Sequence, residues 1–331
     1  MIYIEHNPIV DFSRMDMNNR NDGLSGFIRA KNEGEYIYQV ISSWILLVDE
    51  LIIVFNDCSD NTEEEIKRAI KDFGIDKIKA YKYMPKVYPQ GSKEHIELPP
   101  NDIHSLVNYY NYALSKTTMK YAVKIDGDII YDLSVCDNIN TYISKNSING
   151  YFKLHGINLI DNMGKLYVAS NSKFCGMNGD LCIFPVNKST IFKHRIEFEY
   201  LDLTSLNDDG GCYAYYHMKF VKEDMGFGNY LLLENPNSRY INITKNFIIG
   251  LKFLPIEKVL NDYNIDLSLP EHLNISPIYN RNYIKEYKSK LYNVGIKILP
   301  IDIFIAYIMK YKSEIFHYIK KIIKEKKSNK I

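Results

Sequence analysis

LSGFIRAKNEGEYIYQVISSWILLVDELIIVFND, residues 24–57, decides how this chain folds. Leu24 to Ile28 is a short apolar run preceded by Gly23, which reads as a buried strand. Ile37, Val40, Ile41, Trp44, Ile45 and Val48 then repeat at helical spacing and put one apolar face on an amphipathic helix. Leu51 to Phe55 is a second apolar, β-branched run and ends in Asn56 and Asp57. Strand, helix and strand at this separation imply a right-handed crossover onto a parallel neighbour.

The pattern continues outward. Thr62 and Glu65 have the spacing of a capping box for a helix burying Ile66, Ala69, Ile70 and Phe73, with Gly74 as its stop. Ile78 to Tyr83 reads as a third strand, and the Pro- and Gly-containing residues 85–102 as an exposed loop. A helix burying Ile103, Leu106, Val107, Tyr110 and Leu114 leads to a fourth strand, Tyr121 to Ile125, which runs into Asp126-Gly127-Asp128. The fold class expected is α/β: a Rossmann-like, mixed but mainly parallel sheet flanked by helices, with a C-terminal helical extension. Beyond Asp132 the strands lack clear intervening helices, so antiparallel additions are expected, and from about Ile248 the chain reads as helical and lysine-rich. The division expected is a lead-in over 1–22, a catalytic domain over 23–247 with halves 23–130 and 131–247, and a helical region over 248–331.

Composition bounds the function. Of 331 residues, 46% are hydrophobic and 24% charged, which suits a globular protein and excludes a disordered one. Lys and Arg number 41 against 40 Asp and Glu, so no general basic field exists to hold nucleic acid. Residues 310–331 are the exception, with eight lysines and two glutamates giving +6. Together with the apolar, Lys-broken residues 301–323, they form an amphipathic helix suited to an anionic membrane surface. The five cysteines form no C-x-x-C pair and are odd in number, which argues for free thiols in a reducing compartment. A signal-peptide pattern and a long uncharged apolar span are both missing from the sequence. The expected location is cytoplasmic, peripheral on the inner face of the cell membrane.

In open parallel sheets, ligands bind outside the carboxyl ends of the strands. Three predicted strands empty into polar chemistry there: Arg29, Lys31, Asn32 and Glu33; Asn56, Asp57, Ser59 and Asp60; Asp126 and Asp128. Two carboxylates flanking a glycine at the end of a buried strand repel one another, and a bound divalent cation offsets that repulsion. A magnesium-type ion held by one or two carboxylates plus substrate phosphates suits the pair.

Residues 29–62, RAKNEGEYIYQVISSWILLVDELIIVFNDCSDNT, resemble the opening of family 2 glycosyltransferases with the GT-A fold, and residues 105–128, SLVNYYNYALSKTTMKYAVKIDGD, look like that family's next block. The type implied is one that builds bacterial surface polysaccharide or lipooligosaccharide. The resemblance implies transfer of a sugar from a nucleoside diphosphate-sugar, UDP-sugar favoured, to a hydroxyl of a glycan or lipid-linked acceptor. It further implies an inverting displacement assisted by Mn2+ or Mg2+. Carried over, it gives Asp57 a nucleobase contact and sets the turn containing Arg29, Asn32 and Glu33 around the nucleoside. Asp126 falls near ribose and metal, and Asp128 becomes the main metal ligand. Asp209 or Asp208 becomes the general base, with Asp180 a weaker rival. His217 becomes a late metal or diphosphate ligand and Lys219 a phosphate contact. Glu197 and Glu199 are read as a solvated strand face. The loop NDCSDNT is one residue shorter than the usual form and has Cys58 where Gly is common, which leaves the nucleotide open. Two other readings stand beside this one. A sugar nucleotidyltransferase would need a Gly-rich phosphate loop that RAKNEGE does not supply, and a binding protein would keep the fold without turnover.

Overall fold

The computed structural model describes residues 2–145, 148–162, 165–169, 177–195, 198–235, 238, 240–242, 245, 253–256 and 299. The elements run β1 (Ile2–Glu5), β2 (Asn21–Ala30), α1 (Ile37–Trp44), β3 (Glu50–Phe55), α2 (Thr62–Phe73), β4 (Ile78–Tyr83), α3 (Lys93–Glu97), α4 (Leu106–Ser115) and β5 (Met119–Asp126). They continue with β6 (Ile129–Tyr131), α5 (Cys136–Ser144), β7 (Gly150–Asn162), β8 (Lys165–Ala169), β9 (Met177–Pro185), β10 (Phe192–Arg195), β11 (Phe198–Leu201), β12 (Asn207–Phe220) and β13 (Phe253–Pro255).

One eleven-stranded sheet carries the molecule, in the order β1-β4-β3-β2-β5-β9-β7-β12-β6, with β8 and β13 continuing from β7. Strands β1, β4, β3, β2 and β5 are mutually parallel. Strand β9 joins β5 antiparallel, β7 pairs antiparallel with β9, and β12 runs parallel to β7. This is the mixed, mainly parallel sheet expected of a GT-A fold. The sheet is doubly wound because β3 is apolar on both faces. Leu51, Ile53 and Phe55 pack with α1 and α2 on one side, while Ile52 and Val54 pack with α4 on the other. Burial of this kind contributes roughly 25 cal/mol per Å² of apolar surface removed from water.

From β2 the chain winds outward through β3 and β4, then returns to β5 on the opposite side of β2. That reversal opens a crevice between the carboxyl ends of β2 and β5. Trp44 braces the far side: its Nε1 donates to the Ile129 carbonyl at 2.9 Å, and its ring lies 4.9 Å from Tyr131.

Several local expectations are corrected. The lead-in contains β1, which pairs with β4 at the sheet edge. Thr62 is not the cap of α2. Asn61 holds that position with no side-chain cap, and the Asp60 carboxylate takes the Thr62 N–H at 3.1 Å instead. The loop after β4 includes α3, and α4 starts at Leu106, capped by Ser105, so Ile103 lies outside it. Strand β12 is long, and its Tyr215–His217 pair with β7 on one side and β6 on the other. Phe253–Pro255, inside the region read as helical, is a strand paired to β8. The amphipathic tail at 301–323 and Glu197 lie outside the described residues. Among the described residues no helix is long and apolar enough to cross a membrane.

Candidate active site

Strand pairing sets Arg29 directly beside Asp126 at the carboxyl edge of the sheet. The Arg29 guanidinium lies over the Tyr110 ring, 3.7 Å from its centroid, and Nη2 donates to the Tyr110 hydroxyl. Burial opposes the charge, but Tyr110, Glu199 and Asp126 outweigh it, and the net shift holds Arg29 protonated.

After Asp126 the chain leaves β5 and turns through Gly127 and Asp128 into β6, on the far edge of the sheet. The turn is tight because the Glu33 side chain crosses it: a Cβ on Gly127 would stand 2.5 Å from Glu33 Cγ. Glu33 ends in a 2.7 Å ion pair with Lys222, which is 2% exposed. Burial pushes Glu33 upward and Lys222 opposes it; the Lys222 ammonium, facing Glu33, Asp128 and Asp224, is held up against its own burial. The 2.7 Å contact and the surrounding acidic groups keep Lys222 protonated.

Asp126 Oδ2 accepts from Lys124 Nζ at 3.0 Å. Asp128 Oδ1 lies 3.2 Å from His217 Nε2, and His217 Nδ1 lies 2.9 Å from Asn158 Oδ1. Burial works against the Asp128 charge, yet His217, Lys222 and Lys219 hold its carboxyl well below the usual range. Asn158 Oδ1 accepts the Nδ1 hydrogen, so Nε2 is the atom His217 turns toward Asp128.

A cavity of about 780 Å³ occupies this edge, large enough for a sugar nucleotide. Arg29, Glu33, Asp126, Asp128, His217 and Lys219, all singled out from the sequence, line it together. Lys219 Nζ sits 4.8 Å from the Phe227 ring, 5.4 Å from Tyr230 and 5.7 Å from Tyr240.

Four expected residues are not brought there. Asp57 belongs to the correct edge, but its carboxylate is solvent-facing and pairs with Lys31 at 2.9 Å; Asn56 and Lys31 line the cavity in its place. Asn32 spends its side-chain oxygen on the Ser59 N–H at 2.8 Å, tying two loops together. Asp208 and Asp209 lie at the opposite end of the sheet, beside Tyr151 and Gly150 at the start of β7. Asp208 pairs with Lys153 at 2.5 Å, and Asp209 lies against Gly150 and Tyr142. Eight residues of strand, roughly 26 Å, separate Asp209 from His217. The base assignment to either aspartate is therefore withdrawn.

Three residues went unrecognised. Tyr110 looked like core, and Lys222 had no motif around it. Glu199 was read as solvent-facing, yet it lines the cavity from the β10–β11 hairpin. The available signal was Leu201, which shares its strand face and packs against the α4 side of the core.

The donor chemistry fits a divalent ion on one condition. Asp128 and His217 present a carboxylate oxygen and an imidazole nitrogen to each other; the carboxylate suits Mn2+ or Mg2+, and the imidazole suits the softer Mn2+ better than Mg2+. Among the described residues no three His, Cys, Asp or Glu side chains are grouped to hold an ion by themselves. Substrate phosphate and water must complete such a site, the usual arrangement for magnesium-type ions.

The family model described as Beta-1,4-N-acetylgalactosaminyltransferase (CgtA) matches residues 16–205. No curated protein sequence matches the chain. Among solved structures, S. aureus TarS 1–349 is 10% identical over 73% of this chain and 70% of that one, with a TM-score of 0.38. Glucosyl-3-phosphoglycerate synthase from Mycobacterium tuberculosis, in complex with Mn2+, UDP and phosphoglyceric acid, is 20% identical over 47% of this chain and 50% of that one, with a TM-score of 0.28. Both structural likenesses are too distant to carry an argument.

Proposed function

The chain belongs to the beta-1,4-N-acetylgalactosaminyltransferase (CgtA) family and is a glycosyltransferase, and from that premise we propose that it moves a sugar from a nucleoside diphosphate-sugar to a hydroxyl of a glycan or lipid-linked acceptor. UDP is the favoured nucleotide, and the family's description makes UDP-N-acetylgalactosamine the first donor to try. The reaction is a direct displacement with inversion at the anomeric carbon.

One observation supports this reading above the others: the ends of β2, β5 and β12 deliver Arg29, Asp126, Asp128, His217, Lys219 and Lys222 to one cavity. A departing diphosphate gathers negative charge, and pre-placed cations stabilise that charge without reorganising. Lys219 and Lys222 supply fixed charge, and Arg29 with Asp126 stands where the nucleoside half would lie. Asp128 and His217 would hold a Mn2+ or Mg2+ ion together with the diphosphate. Such an ion supplies Lewis-acid stabilisation of the leaving group. A lipid-linked acceptor would suit the Lys-rich residues 310–331, and flotation with anionic liposomes tests that attachment by comparing the full chain with one cut near Asn293.

The test is thermal unfolding with UDP, GDP and CDP, each with and without Mn2+, followed by nucleotide release from the matching sugar donors. A ligand at 100 times its Kd stabilises the native state by about 2.7 kcal/mol. UDP should give the largest shift, and more with Mn2+ than without. A metal-dependent shift with no turnover of any donor would point to a binding protein instead. No nucleotide-dependent shift at all would remove the proposal.

A further inference from the structure

Four carboxylates line the cavity among the described residues: Glu33, Asp126, Asp128 and Glu199. Three have a basic partner in hydrogen-bonding or near range. Glu33 has Lys222 at 2.7 Å, Asp126 has Lys124 at 3.0 Å, and Asp128 has His217 at 3.2 Å. Glu199 faces the Arg29 charge, and its carboxylate accepts from the Tyr110 hydroxyl. Its Oε2 is buried and has no hydrogen-bond partner. A buried carboxylate oxygen left without a donor is costly, so such an atom in a cavity wall is commonly completed by a ligand.

Glu199 is also rigidly held. Its hairpin is a separate two-stranded sheet, docked on α4 by a reciprocal pair of hydrogen bonds. Asn111 Nδ2 donates to the Phe192 carbonyl at 2.9 Å, and the Phe192 N–H donates to Asn111 Oδ1 at 2.8 Å. The Phe192 ring stacks on Tyr110 at 4.4 Å, beneath Arg29. The Glu199 carboxylate is thus held beside the Arg29–Tyr110 pair in the cavity wall.

We propose that Glu199 is the general base of the transfer, its Oε2 receiving the proton of the acceptor hydroxyl. This rests on the glycosyl-transfer reading above. In the step, the acceptor O–H bond breaks and its proton passes to Glu199. The acceptor oxygen forms a bond to the anomeric carbon, the bond from that carbon to the diphosphate oxygen breaks, and the nucleoside diphosphate leaves with the electron pair. Burial raises the Glu199 proton affinity, with Arg29, Lys124 and the Tyr110 hydroxyl opposing. That shift moves it toward the range a base needs near neutral pH. Asp208 and Asp209, outside the cavity, have no part in the step.

The full chain with Glu199→Gln and with Glu199→Asp tests this, using whichever nucleoside diphosphate-sugar the wild type turns over. Glu199→Gln should lower kcat for transfer by about 10²–10⁴-fold, with the Kd for UDP changed less than threefold by calorimetry. Glu199→Asp should retain part of the rate and keep the acid limb of the kcat/KM profile, which the Gln variant loses. An unimpaired Gln variant overturns the assignment, and so does a loss expressed wholly as weaker UDP binding, which would make Glu199 a nucleotide contact. If Glu199→Gln fails to fold, the Asp variant decides: kcat equal to wild type overturns the proposal. A wild type that binds UDP and turns over no donor overturns the transferase reading itself, and the base with it.

Discussion

Strand β3 and strand β12 place polar residues by different rules. All six residues of β3 are buried, and after Glu50 its run is apolar to the point where the chain leaves the sheet. Strand β12 is exposed for its first five residues and buried mainly from Tyr213 onward, with polar groups near both ends: Asp208 and Asp209 at one, His217 and Lys219 at the other. In a doubly wound sheet the end of a parallel strand is necessarily the crevice edge. In a strand added later, the end that reaches the crevice depends on pairing with β7 and β6, which no local pattern reveals. The carboxylates of β5 were therefore legible at once, whereas those of β12 were assigned to the wrong end of the molecule.

The largest effect expected on this contrast concerns Lys222, just past the crevice end of β12. Lys222→Met would leave Glu33 buried without its partner and remove the cation that Asp128 and Asp224 also face. Breaking a buried ion pair from one side destabilises by about 3–5 kcal/mol. Denaturant unfolding should show a loss of that order. A loss below about 1 kcal/mol would mean the two halves of the sheet are not tied through this pair.

Next is a paired comparison along the same polarity. Asp128→Ala should lower kcat about 10²–10³-fold and abolish the response to Mn2+, while Asp209→Asn should leave both within about twofold. Equal losses in the two variants would break the distinction between the ends of β12.

The same contrast explains what the sequence disclosed. Leu24–Ile28, Leu51–Phe55 and Tyr121–Ile125 are apolar runs bounded by polar loops, and each is a central strand because burial on both faces leaves no alternative. Glu199 was illegible for the opposite reason. On a two-stranded hairpin one face is open and the other covered, and a one-residue change in reading exchanges them. Asp57 failed on a finer scale: the strand end was correct, but its side chain turned to Lys31 at the surface. Reach and rotamer, unlike periodicity, leave no trace in the order of residues.

Helix α3 offers a third measurement, on that hairpin. His95 is 3% exposed and its ring stands 5.1 Å from His194 of β10. Burial, with His194 adding to it, pushes His95 down to about 4. Between that value and an unfolded pKa near 6.5, the unfolded chain binds more protons. Stability from a neutral His95 is thus complete above about pH 6.5 and is lost as the pH falls toward 4. The loss should be on the order of 2 kcal/mol across that window. His95→Phe should flatten the slope; an unchanged slope would mean that α3 does not seal against the hairpin in solution.

The smallest expected effect compares two glycines, one beside each end of β12. Gly210 has φ +90 and open space where a Cβ would go, so Gly210→Ala pays only for its backbone conformation, about 1–2 kcal/mol. Gly127 has no such strain, but an added Cβ would stand 2.5, 2.8 and 2.9 Å from three carbons of Glu33. Glu33 cannot swing aside, because its far end is bound to Lys222. Gly127→Ala should therefore destabilise by a similar amount, about 1–3 kcal/mol, through overpacking. Stability alone will not separate the two variants; ligand affinity will. Gly127 links Asp126 to Asp128, so a shift forced there should weaken UDP binding severalfold, whereas Gly210→Ala should leave the Kd unchanged. If both variants bind UDP like the wild type, the turn between β5 and β6 is not where the diphosphate is held.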